Sequence, residues 1–274
     1  MVKDPAQLTL EEWCSEFFDA NPGSWDKLDS AEAWLRFVEI AAFIAEQVRT
    51  EEYAKMVVGL GRALGWLCSF VKVYSEKHRK ERFPSFMESL SEMMWKKYPG
   101  TCYRCTHELR HDDIVGPRYL PCVCLAVPQV PEDKRPLREL HLKTAREKKP
   151  RPSYLDQWAN MIKDIYGPNH RQLSLSAIAL HFLEEVGEVA EDLRKLRELR
   201  PRPSEKSKRE RIMKFQDEIA DVFSWILGLL NKLDQGFEKS REYYDPLLEV
   251  GLPALKASSI AADALSKWQR EAVP

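Results

Sequence analysis

Apolar residues recur at helical spacing through long segments of this chain, and no convincing run alternates apolar with polar residues. Positions three and four apart share one face of an α-helix, whereas a strand alternates faces at every residue. The pattern therefore predicts an all-α protein. Helices are expected near 9–20, 30–49, 51–79 and 84–97, and again near 153–166, 174–199, 207–233 and 253–271. Glycine is sparse, at 11 of 274 residues, so little interrupts these segments. The middle differs in kind. Residues 98–152 carry Pro99, Pro117, Pro121, Pro128, Pro131, Pro136, Pro150 and Pro152. Proline removes a backbone donor and clashes with the preceding turn, so a long helix is not expected there. Its last part, KTAREKKPRP, reads as an exposed basic linker.

The two helical stretches resemble each other. Residues 10–49 laid on 155–194, a shift of 145, give 10 identities in 40 positions without a gap. Among them Trp13 falls on Trp158, Phe37 on Phe182, Glu39 on Glu184 and Glu46 on Glu191. At a shift of 159, residues 56–67 fall on 215–226, with Trp66 on Trp225. The second copy thus carries 14 extra residues between its paired helices, from the basic stretch around RELRPRPSEKSKRER. A tandem helical-bundle repeat is expected. Its parts would be 1–97 as the first copy, 98–130 as a cysteine-bearing module, 131–152 as a linker and 153–274 as the second copy. Tryptophans present in both copies, Trp158 and Trp225 included, read as core.

Composition narrows the partners. Hydrophobic residues make up 44% and charged residues 31%, which suits a folded chain. A formal net charge of −1 gives no field favouring nucleic acid or an anionic membrane, so nucleic acid is not expected as a partner. No stretch approaches the roughly 18–20 apolar residues of a membrane span. MVKDPAQLTLEEW lacks the apolar core of a secretory signal, so a cytosolic location is expected. Cys14 and Cys68 sit singly in helical patterns and read as small buried hydrophobes. Cys102, Cys105, Cys122 and Cys124 form two close pairs, C-x-x-C and C-x-C, sixteen residues apart. In a reducing compartment such pairs suggest four zinc ligands before disulfides, with His107 and His111 as possible substitutes.

The second copy carries acids that the first lacks. Glu185 and Glu188 are three apart, as are Glu218 and Asp221, so each pair shares a helix face. On facing antiparallel helices the four would meet, and four close negative charges demand compensation. Hard divalent cations with oxygen ligands supply it, magnesium above all where phosphates complete the shell. The alternative is a solvated acidic face. Against it, Glu185, Glu188, Glu218 and Asp221 correspond to Ile40, Phe43, Gly59 and Arg62 in the first copy, so the positions read as inward.

E-x-x-E in EEVGEVAE, followed on a later helix by E-x-x-D in DEIADVFSWILGLLNKL, resembles the all-α nucleoside triphosphate pyrophosphohydrolase superfamily, MazG-like proteins in particular. The resemblance covers about 153–235 and, in weakened form, 9–75. It implies a metal-dependent hydrolase that converts a (d)NTP and water to the (d)NMP and pyrophosphate. Glu185, Glu188, Glu218 and Asp221 would hold Mg²⁺ or Mn²⁺. Glu184 is either structural, since Glu39 keeps its place, or orients the attacking water; Glu184 and Glu185 are the catalytic candidates. Lys214, Asn231 and Lys232 are candidates for the substrate's phosphates, against solvated or structural roles. The basic insertion near 194–211 could close over phosphates or be a plain loop. Some MazG-like proteins are also similar in a Y-P-G-x-C-x-x-C…P-C-x-C tail, which here follows the first, degenerate copy. The two copies could pack as an intramolecular pseudo-dimer, with or without a further homodimer. A nucleotide-sensing adaptor built on the same fold and zinc module is the alternative function.

Overall fold

The computed structural model describes residues 3–20, 29–80, 88–124, 132–198, 204–243 and 256–271. Among them are ten α-helices and no strand: α1 Leu10–Asp19, α2 Ser30–Arg49, α3 Tyr53–Lys80, α4 Leu90–Lys97, α5 His111–Val115, α6 Arg135–Lys148, α7 Leu155–Gln172, α8 Leu175–Arg197, α9 Glu205–Tyr243 and α10 Ala257–Glu271. The all-α expectation holds. Helix starts follow local chemistry. Thr9 and Glu12 close α1 with a reciprocal capping box, and Ser89 and Glu92 do the same for α4. Asp29 accepts from the Glu32 N–H at the start of α2, and Ser174 from Ala177 at the start of α8.

The amphipathic faces set the packing. In α1 the buried residues Leu10, Trp13, Cys14 and Phe17 follow the i, i+3, i+4, i+7 stripe. This face lies on α3, as α7 lies on α9. Helix α2 pairs with α3 and α8 with α9, and α2 and α8 pack on each other between these pairs. The short helices cross over: α4 packs on α9, and α10 packs on α3. One hydrophobic core runs through both halves of the chain. Trp34 stacks on Phe37 at 4.6 Å, Phe37 meets Phe182 edge-on at 6.3 Å, and the Trp34 indole N–H donates to the Val186 carbonyl at 3.2 Å. An isolated antiparallel bridge joins Thr9 to Tyr154.

Three expectations need correction. The 131–152 linker is largely helix α6: Pro136 sits in its first turn, where a missing N–H costs nothing, and the next proline is Pro150. His141, Leu142 and Ala145 are buried, and α6 packs on α5 and the turn at Thr106–Glu108. Helix α7 continues past Pro168 to Gln172, where sequence alone ends it near 166. The extra turn is held by His170, whose ring fits against Gly228, at which a side chain's Cβ would lie 2.9 Å from the ring. Finally, Tyr53–Ser75 of α3 is long and apolar enough to cross a membrane by length and composition, but 78% of that window is buried within the bundle.

A buried lysine helps tie down the cysteine module. Lys149, 5% exposed, donates its ammonium to the carbonyls of Asp113, Gly116 and Arg118 at 3.3, 3.1 and 2.6 Å. These carbonyls end α5 and lead into the second knuckle, where helix-end acceptors need partners from outside the helix. Lys149→Met keeps the stem and strips the donors. It is expected to cost roughly 2–3 kcal/mol and to speed amide exchange in 100–120, leaving α8 and α9 protected. Unchanged exchange in that segment would show that the lysine does not hold it.

Candidate metal centre

Helices α8 and α9 pack face to face, and this brings the two acid pairs together. Glu185, Glu218 and Asp221 each offer a carboxylate oxygen, and these atoms lie within 4.8 Å of one another. Glu188 lines the same cleft, of about 520 Å³, but stands outside that closest group. Glu184 is at the rim, exposed, with a carboxylate oxygen 3.3 Å from His181 Nδ1. Glu191 points away from the site to Lys195 at 2.7 Å.

Two groups that sequence reasoning did not single out complete the acid cluster. Lys97 and Tyr98, at the end of α4, both donate to the Asp221 carboxylate, and Lys97 donates also to the Asp217 carbonyl at 3.1 Å. They arrive because α4 crosses onto α9. Burial alone would lower the Lys97 ammonium, but Asp221, Asp217 and Glu218 outweigh it and hold it above the ordinary value. Lys97, even with the Lys214 ammonium 3.4 Å from Glu218, does not balance the site. Burial, then the charge of Asp221, pushes Glu185 up to about 8, with Glu188 and Glu218 adding to the effect and Lys97 opposing it. Burial, opposed by Lys97 and reinforced by Asp221 and Glu188, pushes Glu218 up to about 7. The cluster thus carries more negative charge than its surroundings compensate. An all-oxygen donor set with this deficit fits a hard divalent cation such as Mg²⁺ or Mn²⁺.

A pH dependence follows. Glu185 and Glu218 bind their protons more tightly in the folded chain than at their ordinary value of 4.5. Between pH 4.5 and about 8 the folded state therefore holds more protons than the unfolded one, and stability falls as pH rises. In magnesium- and manganese-free buffer the melting temperature should drop across this window, and Glu185→Gln should flatten the drop and stabilise the chain by roughly 1–3 kcal/mol at pH 8, after discount for partial exposure. A melting temperature that rises from pH 5 to 8 in both proteins would contradict the burial described.

The four cysteines form a second cluster on the same cleft. Cys102 and Cys124 sulfurs are 3.5 Å apart and those of Cys105 and Cys122 are 3.9 Å apart. Four thiolates around zinc at about 2.3 Å span tetrahedral edges of about 3.8 Å. The Val123 N–H donates to the Cys105 sulfur at 3.3 Å, and the Asn169 amide to the Cys122 sulfur at 3.1 Å, as suits sulfur carrying charge. The set fits a tetrahedral metal such as zinc. His107 and His111 lie outside it; His107 is buried with Nδ1 3.2 Å from the Arg104 carbonyl. Gly100 makes the first knuckle possible: its φ of +73° suits glycine, and a Cβ there would lie 2.6 Å from Tyr119.

The candidates for substrate phosphates scatter. Lys214 reaches Asp192 at 3.0 Å and Glu218 at 3.4 Å, but it lines a separate hollow and not the acid cleft. Asn231 is buried and donates to the Ala159 carbonyl at 2.9 Å. Lys232 donates to the His170 carbonyl at 2.8 Å and so secures the end of α7. Neither Asn231 nor Lys232 faces the carboxylates: both satisfy backbone acceptors of α7. The basic insertion is mostly helix, with α8 reaching Arg197 and α9 starting at Glu205; residues 199–203 lie outside the described residues. Arg197 pairs with Asp29 rather than with the cleft.

Trp158 is core, fully buried. Trp225, expected in the core, is only partly buried and lines the cleft, stacked on His181 at 5.0 Å and on His170 at 5.4 Å. Tyr166 stacks on His170 in turn, at 5.9 Å. Burial, then the nearby Lys232, pushes His170 down to about 4, so it is neutral near pH 7. The cleft therefore has an acid floor, an aromatic wall and a wall of cysteine knuckles. The sequence signal that could have placed Lys97 and Tyr98 beside the knuckles is their position just before the Pro99-Gly100 turn that leads to Cys102. Comparison with family models, curated proteins and solved structures returns no match to this chain.

Proposed function

We propose that this protein is a divalent-metal-dependent nucleoside triphosphate pyrophosphohydrolase built from two copies of one helical unit, the second of which is active. The observation that carries the reading is the convergence of Glu185, Glu218 and Asp221 across α8 and α9. These acids stand in the E-x-x-E and E-x-x-D pattern that resembles the MazG-like proteins.

The repeat is supported by contacts between positions 145 apart in sequence. Thr9 bridges to Tyr154, and Phe37 meets Phe182. A residue that touches its own counterpart lies near a two-fold axis, as at an isologous dimer interface. The trailing helices agree: Ser91 of α4 donates to Glu11, and Ser258 of α10 donates to Asp156 at 2.6 Å, with Glu11 and Asp156 again 145 apart. In the first copy Phe43 and Ile44 fill the space over Gly59, where a Cβ would lie 2.8 Å from Ile44. That is the position of Glu218 in the second copy, so a dead first site accounts for the packing.

Glu185, Glu188, Glu218 and Asp221 would hold Mg²⁺ or Mn²⁺, which when bound neutralises phosphate charge and makes water a better nucleophile. Glu184, exposed at the rim beside His181, would accept the proton of the attacking water. The water oxygen bonds to the α-phosphorus, the bond from that phosphorus to the α,β-bridging oxygen breaks, and pyrophosphate leaves. Trp225 and His181 offer the cleft its aromatic surface for a base.

A panel of ribo- and deoxynucleoside triphosphates with Mg²⁺ or Mn²⁺ tests this, with products resolved. Monophosphate and pyrophosphate in equal amounts are expected. Diphosphate and phosphate would mean a different bond is cut. No turnover of any nucleotide by folded, metal-loaded protein would overturn the enzyme in favour of a nucleotide-binding adaptor.

A further inference from the structure

The acid cleft has a second cation besides Lys97. Arg104 lies between Cys102 and Cys105 in the first knuckle and lines the cleft. Lys97 is committed to Asp221, whereas no carboxylate among the described residues lies within ion-pair distance of the Arg104 guanidinium, which is exposed.

Five carboxylates and two cations line this cleft. A free anion would be repelled by the five acids, and a bare cation would gain nothing from a guanidinium at the mouth. An anion that arrives with its own divalent ions suits both features, and a guanidinium offers it forked N–H donors. The module that carries Arg104 is also fixed against the site. The Cys122 N–H donates to the Ile165 carbonyl at 2.6 Å, Asn169 donates to the Cys122 sulfur, and Tyr98 packs edge-on against Tyr166 at 5.9 Å. All three ties run to α7, which gives Tyr166 and His170 to the aromatic wall. The module follows the first copy in sequence and serves the cleft of the second.

We propose that the four-cysteine module is a ligand-recognition element of the acid cleft, with Arg104 binding the terminal phosphates of a metal–polyphosphate ligand. This deepens the pyrophosphohydrolase reading and rests on it for the nucleotide attached to those phosphates.

The probe is inorganic tripolyphosphate with Mn²⁺, titrated into the full-length protein by calorimetry. Mn²⁺ alone is followed in parallel by electron paramagnetic resonance. Arg104→Ala should weaken Mn²⁺–tripolyphosphate binding by roughly 10- to 100-fold, and Arg104→Lys should weaken it less. Both variants should bind Mn²⁺ alone like the wild type, which shows an intact carboxylate site. Arg110→Ala, in the same module but paired with Asp113, should change nothing. If nucleotides are cleaved, Arg104→Ala should raise KM with kcat little changed. Unchanged tripolyphosphate affinity in Arg104→Ala overturns the proposal and leaves Arg104 a counter-ion of the thiolates, whatever the nucleotide assay gives. Loss of affinity in a protein that cleaves no nucleotide upholds the proposal and removes the pyrophosphohydrolase reading. A wild type that binds no Mn²⁺–tripolyphosphate overturns both.

Discussion

Glu218→Gln should lower kcat/KM for nucleotide hydrolysis on the order of 10³-fold or more, with Glu185→Gln close behind. Each carboxylate belongs to the group whose oxygens lie within 4.8 Å of one another, so each amide would remove one negative ligand from the ion they are proposed to share. Metal-assisted charge stabilisation amounts to several kcal/mol, and each 1.36 kcal/mol is about tenfold in rate. The loss should appear first as weaker Mn²⁺ binding, read by titration, and excess metal should restore part of the rate. Because the same residues are pushed toward protonation by burial, the amides should not unfold the chain. A large loss of activity together with a lower metal-free melting temperature would mean the acids are structural. Glu39→Ala, in the first helical stretch, is the control: Glu39 is exposed and its one ion pair among the described residues is with Arg36, so activity should stay at the wild-type level. If Glu39→Ala costs as much as Glu218→Gln, the assignment of the active copy is wrong.

Phe182→Ala should destabilise the whole chain by about 3–5 kcal/mol, the usual cost of emptying a large buried aromatic site. Phe182 and Phe37 are both fully buried and meet where α2 packs on α8. The cavity cannot collapse easily, because the Trp34 indole is held to the Val186 carbonyl beside it. Urea unfolding followed by tryptophan fluorescence and by far-ultraviolet dichroism should show one transition, shifted to lower midpoint with the slope kept. The core is continuous between halves, so neither half has an independent apolar interior to melt separately. Two resolved transitions, or a cost below about 1 kcal/mol, would show that the halves fold alone. Phe37→Ala should behave alike, since it empties the same contact from the other side.

These expectations differ in how far the sequence carries them. The helices of both halves are legible because helix formation and its apolar stripe are local, decided by residues three and four apart. Trp13 and Phe17 announce the buried face of α1 in this way. The acid pairs are legible for the same reason: Glu185 with Glu188 and Glu218 with Asp221 each sit within one helix. The cysteine spacing also survives translation into space, since two short knuckles need only one crossing to meet.

What failed was local reading applied to positions whose partners are distant. Proline density across 98–152 argued against a long helix, yet α6 fits between Pro136 and Pro150 and is held by buried contacts of His141 and Leu142. Asn231 and Lys232 share the acid-bearing helix, but the carbonyls of Ala159 and His170 capture them. Trp225 repeats Trp66 in sequence and still turns toward the cleft, because His170 and His181 stack on it.

By itself, then, the sequence determined the helical class, the apolar faces, the acid pairs and the cysteine set, all features of short range. Only the tertiary structure decided which half supplies what to the site. Lys97 meets Asp221 across 124 residues and Tyr98 across 123, because α4 crosses from the end of the first half onto α9 of the second. That crossing is driven by the burial of Leu90, Met93, Met94 and Trp95 on α4. Burial is non-directional, so an apolar face declares that it will be covered without declaring by what. The choice of partner helix, and with it the cations that border the acid cleft, is made only when all the faces pack at once.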